Sequence, residues 1–291
     1  MKNILITGAN SYIGTSFENY VKENFSNEYS IDTVDMIDAT WREKDFSEYD
    51  TVFHVAGIAH QKETDANAKL YYEINCDLAV ETAKKAKNDG VKQFVFLSSM
   101  SVYGIDEGII TKDTELCPKS NYGKSKLMAE DEIAKLCDEN FLVAVVRPPM
   151  VYGPKCRGNF NSLVKFANKL PAFPKVNNQR SMIFIDNLSE FVRIIIEKQL
   201  SGLYMPQNKE YINTCDMARW ILEKQGKKIH ESRILALGLK IIMPFVGMAK
   251  KAFGTLAYHH DLEALGFEYC IVDSEASVKK SIVSEENTCE R

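Results

Sequence analysis

The chain has 291 residues, 45% of them hydrophobic, with 36 Lys and Arg against 40 Asp and Glu, a formal charge of −4. That length and apolar content are enough to bury a large core and are compatible with a doubly wound α/β fold without specifying it. The acidic balance and the lack of a basic tract exclude nucleic acid as a partner. Seven dispersed cysteines, with no Cys-x-x-Cys pair, suit a reducing cytoplasm rather than a disulfide framework.

In chain order, apolar strands are predicted near residues 2–7, 30–35, 50–56, 92–98 and 141–147, with helices between them. This alternation predicts a parallel sheet with right-handed crossovers. The first strand begins at once, so no signal peptide is expected. It runs into Gly8-Ala9-Asn10-Ser11-Tyr12-Ile13-Gly14 and then a helical stretch, Thr15 to Phe25. Such a strand, glycine turn and helix places backbone N–H groups and a helix N-terminus against a pyrophosphate. Gly8 permits the tight turn and Gly14 close packing of helix on strand. Ser11 stands where a middle glycine is usual, and its hydroxyl is able to donate to phosphate.

The second strand ends at Asp35, an acid placed to accept from a ribose 2′-OH and to repel a 2′-phosphate, which favours NAD over NADP. Thr51 to Gly57 reads as a buried parallel strand ending in the small residues Val55-Ala56-Gly57, which allow a cofactor close to the backbone. His54 within that strand is read as structural. His259 and His260 stand side by side with no third ligand visible, so no metal site is expected.

Turn residues at 118–121 precede Tyr122-Gly123-Lys124-Ser125-Lys126, expected in the first turns of a helix. Positions four apart share a helix face, so Tyr122 and Lys126 lie together, facing Ser99. A phenol is a poor base at neutral pH, and an ammonium one turn away favours its ionised form. Tyr122 is therefore a candidate general acid/base, tuned by Lys126.

These features stand in order with Asp45-Phe46, Asn75, Ser98-Ser99-Met100-Ser101-Val102-Tyr103-Gly104, Arg147-Pro148-Pro149-Met150-Val151-Tyr152-Gly153-Pro154 and Arg180 to Asn187. Together they resemble the extended short-chain dehydrogenase/reductase family of nucleotide-sugar epimerases and dehydratases, over residues 3 to about 190 and more weakly beyond. The resemblance implies a Rossmann domain over 1–150 that binds NAD and carries Ser99, Tyr122 and Lys126. A substrate-binding lobe, mostly 151–291, is expected to interleave with it. It also implies that Asp45 and Phe46 lie at the adenine, that Val55, Ala56 and Gly57 run under the adenosine and pyrophosphate, and that Asn75 supports the pocket.

Dehydratases of this family place an Asp-Glu pair directly after the catalytic hydroxyl. Here those positions are Met100 and Ser101, and methionine carries no proton, so water elimination of that type is disfavoured. What remains is a closed 4-epimerase cycle through a 4-keto sugar or net reduction of a 4-keto sugar. In the closed cycle Tyr122 takes the O4 proton, Ser99 holds the sugar hydroxyl, and Lys126 bridges the nicotinamide ribose. A binding protein without catalysis on the same fold is a further rival, against which the intact Ser99, Tyr122 and Lys126 argue.

Arg180 is the residue expected at a UDP diphosphate, where a planar fork donates bidentately, with Asn159 as an amide partner. Lys155 and Arg157 flank the same loop. Residues 170–181 resemble bacterial polysaccharide-pathway epimerases acting on N-acetylhexosamine, carried on UDP or on polyprenyl diphosphate. Met150 replaces the Asn of galactose-pathway epimerases. The run Ile234 to Val246 is too short to span a bilayer and is broken by Lys240 and Pro244. It is expected to be a buried helix over the second lobe, with peripheral membrane contact as the alternative. A homodimer is expected through stretches 66–89 and 123–138, with a frayed tail over 281–291.

Overall fold

The structure, a computed structural model, describes residues 1–282 apart from 60, 62, 157, 244, 264 and 265. Arg157, Pro244 and the tail from residue 283 thus lie outside the described residues. In chain order the first elements are β1 (Lys2–Thr7), α1 (Tyr12–Asn24), β2 (Tyr29–Val34), β3 (Thr51–His54), α2 (Ala68–Tyr72), α3 (Leu78–Asn88) and β4 (Gln93–Leu97). Then come β5 (Gly108–Ile110), α4 (Asn121–Ala134), β6 (Leu142–Val146), β7 (Met150–Tyr152), α5 (Asn159–Lys169), β8 (Phe173–Pro174), β9 (Met182–Phe184) and α6 (Ile185–Glu197). The last are β10 (Gly202–Tyr204), α7 (Thr214–Lys224), β11 (Glu231–Ser232), α8 (Arg233–Ile242), α9 (Gly247–Phe253), β12 (Leu256–Tyr258) and α10 (Ser274–Ser281).

The chain divides into two compact units, each built from several segments. The first holds residues 1–104, 115–148 and 188–206; the second holds 105–114, 149–187 and 207–291.

In the first unit six strands pair in the order β10-β6-β4-β3-β1-β2, every pair parallel. The five predicted strands are all present, and β10 is a sixth that the sequence did not announce. All five residues of β4 are buried, as a parallel strand covered on both faces requires. One face packs Leu5, Val52, Phe94, Phe96, Val143 and Val145 against the alanines of α3 and against Ala129 and Ile133 of α4. On the other face Phe17 of α1 meets Phe53 edge-on at 5.2 Å. The Gln93 side chain donates there to the carbonyls of Ile195 and Leu200. Successive strands move outward from β1 to β2 and then return across β1 to β3. That reversal makes the switch point of an α/β sheet, beyond the carboxyl ends of β1 and β3.

Among the described residues the second unit contains three two-stranded parallel ladders, β8 with β11, β5 with β12 and β7 with β9. A small core of Ala167, Phe173, Cys215, Ala218, Leu222 and Phe253 joins α5, α7 and α9.

Candidate active site

The turn after β1 lies at the switch point. Gly8 has φ +102°, and a Cβ there would fall 2.8 Å from the backbone of Ala56, so only glycine fits. Asn10 follows in the left-handed region at φ +64°, where Asn is one of the tolerated residues. Ser11 is the N-cap of α1, its Oγ accepting from Gly14 N at 3.2 Å. The serine that departs from the glycine pattern therefore serves as a cap. Helix α1 starts at Tyr12, three residues before its predicted start, because this cap supplies the missing acceptor. The amides of Tyr12 and Ile13 belong to the first turn, whose N–H groups lack intrahelical partners and suit an anion. A Cβ on Gly14 would meet Ile6 and Val55 side chains at 3.1 Å, which is the close helix-to-strand packing expected.

Val55 and Ala56 are buried directly after β3, and Gly57 is exposed. Asn75 sits in a π-helical turn, Glu73–Asp77, and is fully buried. Its Oδ1 accepts from Ile58 N at 2.8 Å; its Nδ2 donates to Ile58 O at 3.1 Å and Ser125 Oγ at 3.3 Å. Asn75 thus pins the segment after β3 to α4. Asp35 is exposed at the end of β2, with Oδ1 accepting from Ile37 N at 3.0 Å. Asp45 is exposed too, and its carboxylate takes the Ser47 amide and hydroxyl, which holds its pKa below the usual carboxylate range. Phe46 departs from expectation: its ring is fully buried in the core and its N–H donates to Asp89 Oδ2 at 3.0 Å.

Ser99 follows β4 and caps a single 3-10 turn, Met100–Tyr103, accepting from Ser101 N at 3.1 Å. Gly123, in the first turn of α4, makes the approach of the two segments possible, since a Cβ there would lie 2.6 Å from the Ser101 carbonyl. The consequence is that the Ser99 hydroxyl lies near enough to Tyr122 to lower the phenol's pKa, while Ser99 Oγ donates to Ser101 Oγ at 3.1 Å. Lys126, one turn on, is buried; its Nζ donates to Leu97 O at 2.9 Å and lies 4.7 Å from the centre of the Phe96 ring. Ser99, Tyr122 and Lys126 are therefore brought together as the spacing predicts.

Their electrostatics differ from the expectation in one respect. Burial raises the Tyr122 pKa above the ordinary phenol value; the Ser99 hydroxyl opposes this and the Tyr71 phenol adds to it. Lys126 is not among the groups that move it. The ammonium is turned to the Leu97 carbonyl, and burial pulls its own pKa down to about 8 against the carboxylate of Glu130, which raises it. The predicted Coulomb lowering of the phenol by Lys126 is therefore not what sets the Tyr122 pKa here. His54 is fully buried, with Nδ1 2.7 Å from Thr7 Oγ1, and burial followed by the Lys126 charge drives its pKa to about 3. It is a core histidine, as read.

Sequence reasoning missed Glu63. Its carboxylate accepts from the amides of Asn121 at 2.9 Å and Tyr122 at 3.1 Å, while Ser120 Oγ accepts from Gly123 N at 3.1 Å. The turn that carries Tyr122 is thus capped twice.

In the second unit Arg180 bridges Ile212 and Leu256 by its backbone, and its Nη1 donates to Gly254 O at 3.1 Å. It is partly buried, burial lowers its pKa, and among the described residues no carboxylate pairs with it. Asn159 is exposed as the first residue of α5, preceded by Gly158 at φ +97°. Lys155 is exposed, with φ +60°. His259 lies 3.2 Å from Asp261, and His260 stacks on the Tyr211 ring. Among the described residues there is no group of three or more His, Cys, Asp and Glu able to hold a metal ion.

A parallel sheet with its glycine turn at the switch point places the chain among Rossmann-type dinucleotide-binding proteins. More narrowly, it belongs to the NAD dependent epimerase/dehydratase family, whose description matches residues 4–204. It is an enzyme, and its cofactor is NAD. The Gly8 cradle and the capped N-terminus of α1 fit that cofactor's pyrophosphate. A UDP-glucose 4-epimerase of Vibrio cholerae is 30% identical over 247 residues, covering 75% of this chain and 74% of that protein. An N-acetyl-alpha-D-glucosaminyl-diphospho-ditrans,octacis-undecaprenol 4-epimerase of Escherichia coli O157:H7 is 24% identical, covering 78% of this chain and 73% of that protein. A solved UDP-glucuronic acid 4-epimerase of Bacillus cereus, in complex with NAD, has the same fold with TM-score 0.73. It is 18% identical and covers 96% of this chain and 95% of its own.

Proposed function

We propose that this enzyme is a 4-epimerase of a nucleotide sugar, a UDP-hexose or UDP-N-acetylhexosamine. The observation that carries the reading is the close approach of the Ser99 turn to the first turn of α4, where a Cβ on Gly123 would lie 2.6 Å from the Ser101 carbonyl, with residues at 100 and 101 that supply no acid and base pair for elimination. The names of the two relatives above support it. In this reading NAD supplies the hydride acceptor for C4 and the donor that returns it to the other face. Tyr122 takes the O4 proton and gives it back; Ser99 holds the sugar hydroxyl and accepts from or donates to the same phenol. Lys126 holds the nicotinamide ribose, for which its ammonium leaves Leu97.

The first unit then binds NAD through Gly8, Asn10, Ser11, Tyr12, Ile13 and Gly14, with Asp35 on the adenosine ribose and Asp45 at the adenine. Val55, Ala56 and Gly57 lie along the cofactor, and Asn75 supports them. Arg180 is read as the residue for a substrate diphosphate, with Asn159 as an amide partner. An uncompensated, partly buried guanidinium is what a diphosphate completes. Met128 and Leu70, apolar and exposed on α4 and α2, support a homodimer through these helices.

The test is incubation with catalytic NAD+ and either UDP-GlcNAc or UDP-glucose, read by NMR for the 4-epimer and by absorbance for NADH. Epimer without net NADH supports the reading, and stoichiometric consumption of NAD(P)H with a 4-keto sugar replaces it by a reductase. Tyr122→Phe is expected to abolish turnover and to leave NAD binding intact. Asp35→Ala is expected to weaken discrimination against NADP. A polyprenyl-diphosphate carrier is the second reading, and the exposed apolar surface of α8 favours it.

A further inference from the structure

Helix α8 and the segment after it expose an apolar surface that the sequence reading had assigned to the interior. Ala236 is buried, and Leu239 and Met243 pack against the core of the second unit. On the opposite arc Ile234, Leu237 and Ile241 are 83%, 64% and 66% exposed, and Phe245, beyond the helix end, is 87% exposed. Spacings of three, four and seven put the three helical residues on one face. No monomer needs so many large apolar groups in water along one helix face, and such a contiguous patch marks a surface of interaction.

The charge around the patch says what covers it. Between Glu231 and Asp261 the chain has no acidic residue, but it has Arg233, Lys240, Lys250 and Lys251. That segment carries +4, so the rest of the chain carries −4 − 4 = −8. Arg233 and Lys240, seven apart, flank one side of the apolar arc, and both are exposed. Lys251 is exposed on α9, and Lys250 lies 3.3 Å from Glu107. A second copy seated face to face would set Arg233, Lys240 and Lys251 against their own copies, because a two-fold interface uses the same patch twice. A surface of anionic headgroups over hydrocarbon satisfies both the cations and the apolar arc. Among the described residues no helix is long and apolar enough to cross a membrane.

We propose that α8 and the α9 lysines form an interfacial docking surface for an anionic lipid bilayer, on which the chain lies without spanning it. A docked chain meets sugars whose diphosphate is lipid-anchored. That consequence rests on the epimerase reading, whereas vesicle binding is measured without substrate or NAD, so the two fail separately.

The test is sedimentation of the full chain with sucrose-loaded vesicles of phosphatidylcholine alone or with phosphatidylglycerol, at low and high salt. Binding to the anionic vesicles is expected to exceed that to neutral ones by at least about tenfold and to fall with salt. Leu237→Glu with Ile241→Glu is expected to abolish it, and Lys240→Glu with Lys251→Glu to reduce it by about tenfold or more. These positions are exposed, and an unchanged circular dichroism melt verifies that each variant folds. No binding to anionic vesicles, or binding unchanged in both variants, overturns the proposal. So does a dimer in sedimentation velocity that Ile241→Glu splits.

Discussion

Glu130 and Arg147 form an ion pair inside the first unit, both side chains being about 95% removed from solvent. Nε of Arg147 donates to both carboxylate oxygens at 3.0 Å, and Nη2 closes on the second. The same carboxylate accepts from the hydroxyl of Ser98, the residue before Ser99, and Arg147 Nη1 donates to Tyr103 Oη at 3.0 Å. Glu130 is also four residues beyond Lys126, on the same face of α4, and supports the Lys126 charge against burial. The pair thus ties together the strand end that presents Ser99 and the helix that presents Tyr122.

Removing one partner leaves the other charge buried without compensation. Arg147→Met is expected to destabilise the chain by about 3–5 kcal/mol in urea unfolding. The double replacement Glu130→Met with Arg147→Met should recover much of that loss, because two apolar side chains have no charge to desolvate. A single variant within about 0.5 kcal/mol of the native chain contradicts the account.

Glu63 acts on Tyr122 through the backbone, by taking the first two amides of α4. Glu63→Ala leaves those amides to water and is expected to cost about 1 kcal/mol of stability, as loss of a helix cap does. Because the same turn aims Tyr122 at Ser99, kcat should fall with NAD affinity retained, and Glu63→Gln, which keeps one acceptor, should restore part of it. Unchanged kcat in Glu63→Ala would remove the positioning role.

The sheet was legible because its strands are apolar runs of parallel type, closed by turns. Gly202–Tyr204 was not, since three residues with an exposed Leu203 carry no such signature. Residues on α4 were placed correctly by helical spacing alone. The partners that hold them came from far along the chain: Glu63 lies 58 residues before Asn121, and Glu130 17 before Arg147. Nothing in a local pattern joins such residues. Phe46 was misread because its neighbour Asp45 is a surface acid, while a phenylalanine beside it goes to whatever core is nearest. The run from Ile234 was read as buried because apolar content reports a preference against water and not the identity of the cover.

His54 should make the fold sensitive to mild acid. Its ring lies between Phe94 and Phe96, at 5.7 and 6.0 Å, and among the described residues Nε2 has no hydrogen-bond partner. The folded pKa is about 3, against about 6.5 in the unfolded chain. Between those values the unfolded state binds the extra proton, so stability from this group falls as pH drops from about 6.5 toward 3. His54→Phe should flatten that part of the stability profile relative to the native chain. Parallel profiles for the two proteins between pH 6 and 4, read by urea unfolding, would show that His54 is not the group responsible.

Lys126 should produce a slope of the same sign on the alkaline side. Its folded pKa is about 8, from burial, against 10.5 in the unfolded chain. Between these values the unfolded state again holds one proton more, so the burden of the buried ammonium is full below pH 8 and is relieved as pH rises toward 10.5. Lys126→Met, which fills the site without a charge, is therefore expected to exceed the native chain in stability at neutral pH. Its margin should shrink by about 1.4 kcal/mol per pH unit above 8. The stability difference between variant and native chain, followed from pH 7 to 10, is the measurement. A margin independent of pH means that Lys126 titrates alike in both states and that its ammonium is not held against burial. The same substitution is expected to abolish turnover, so stability gained there is the counterpart of function lost: the site keeps a charge that the fold alone would discard.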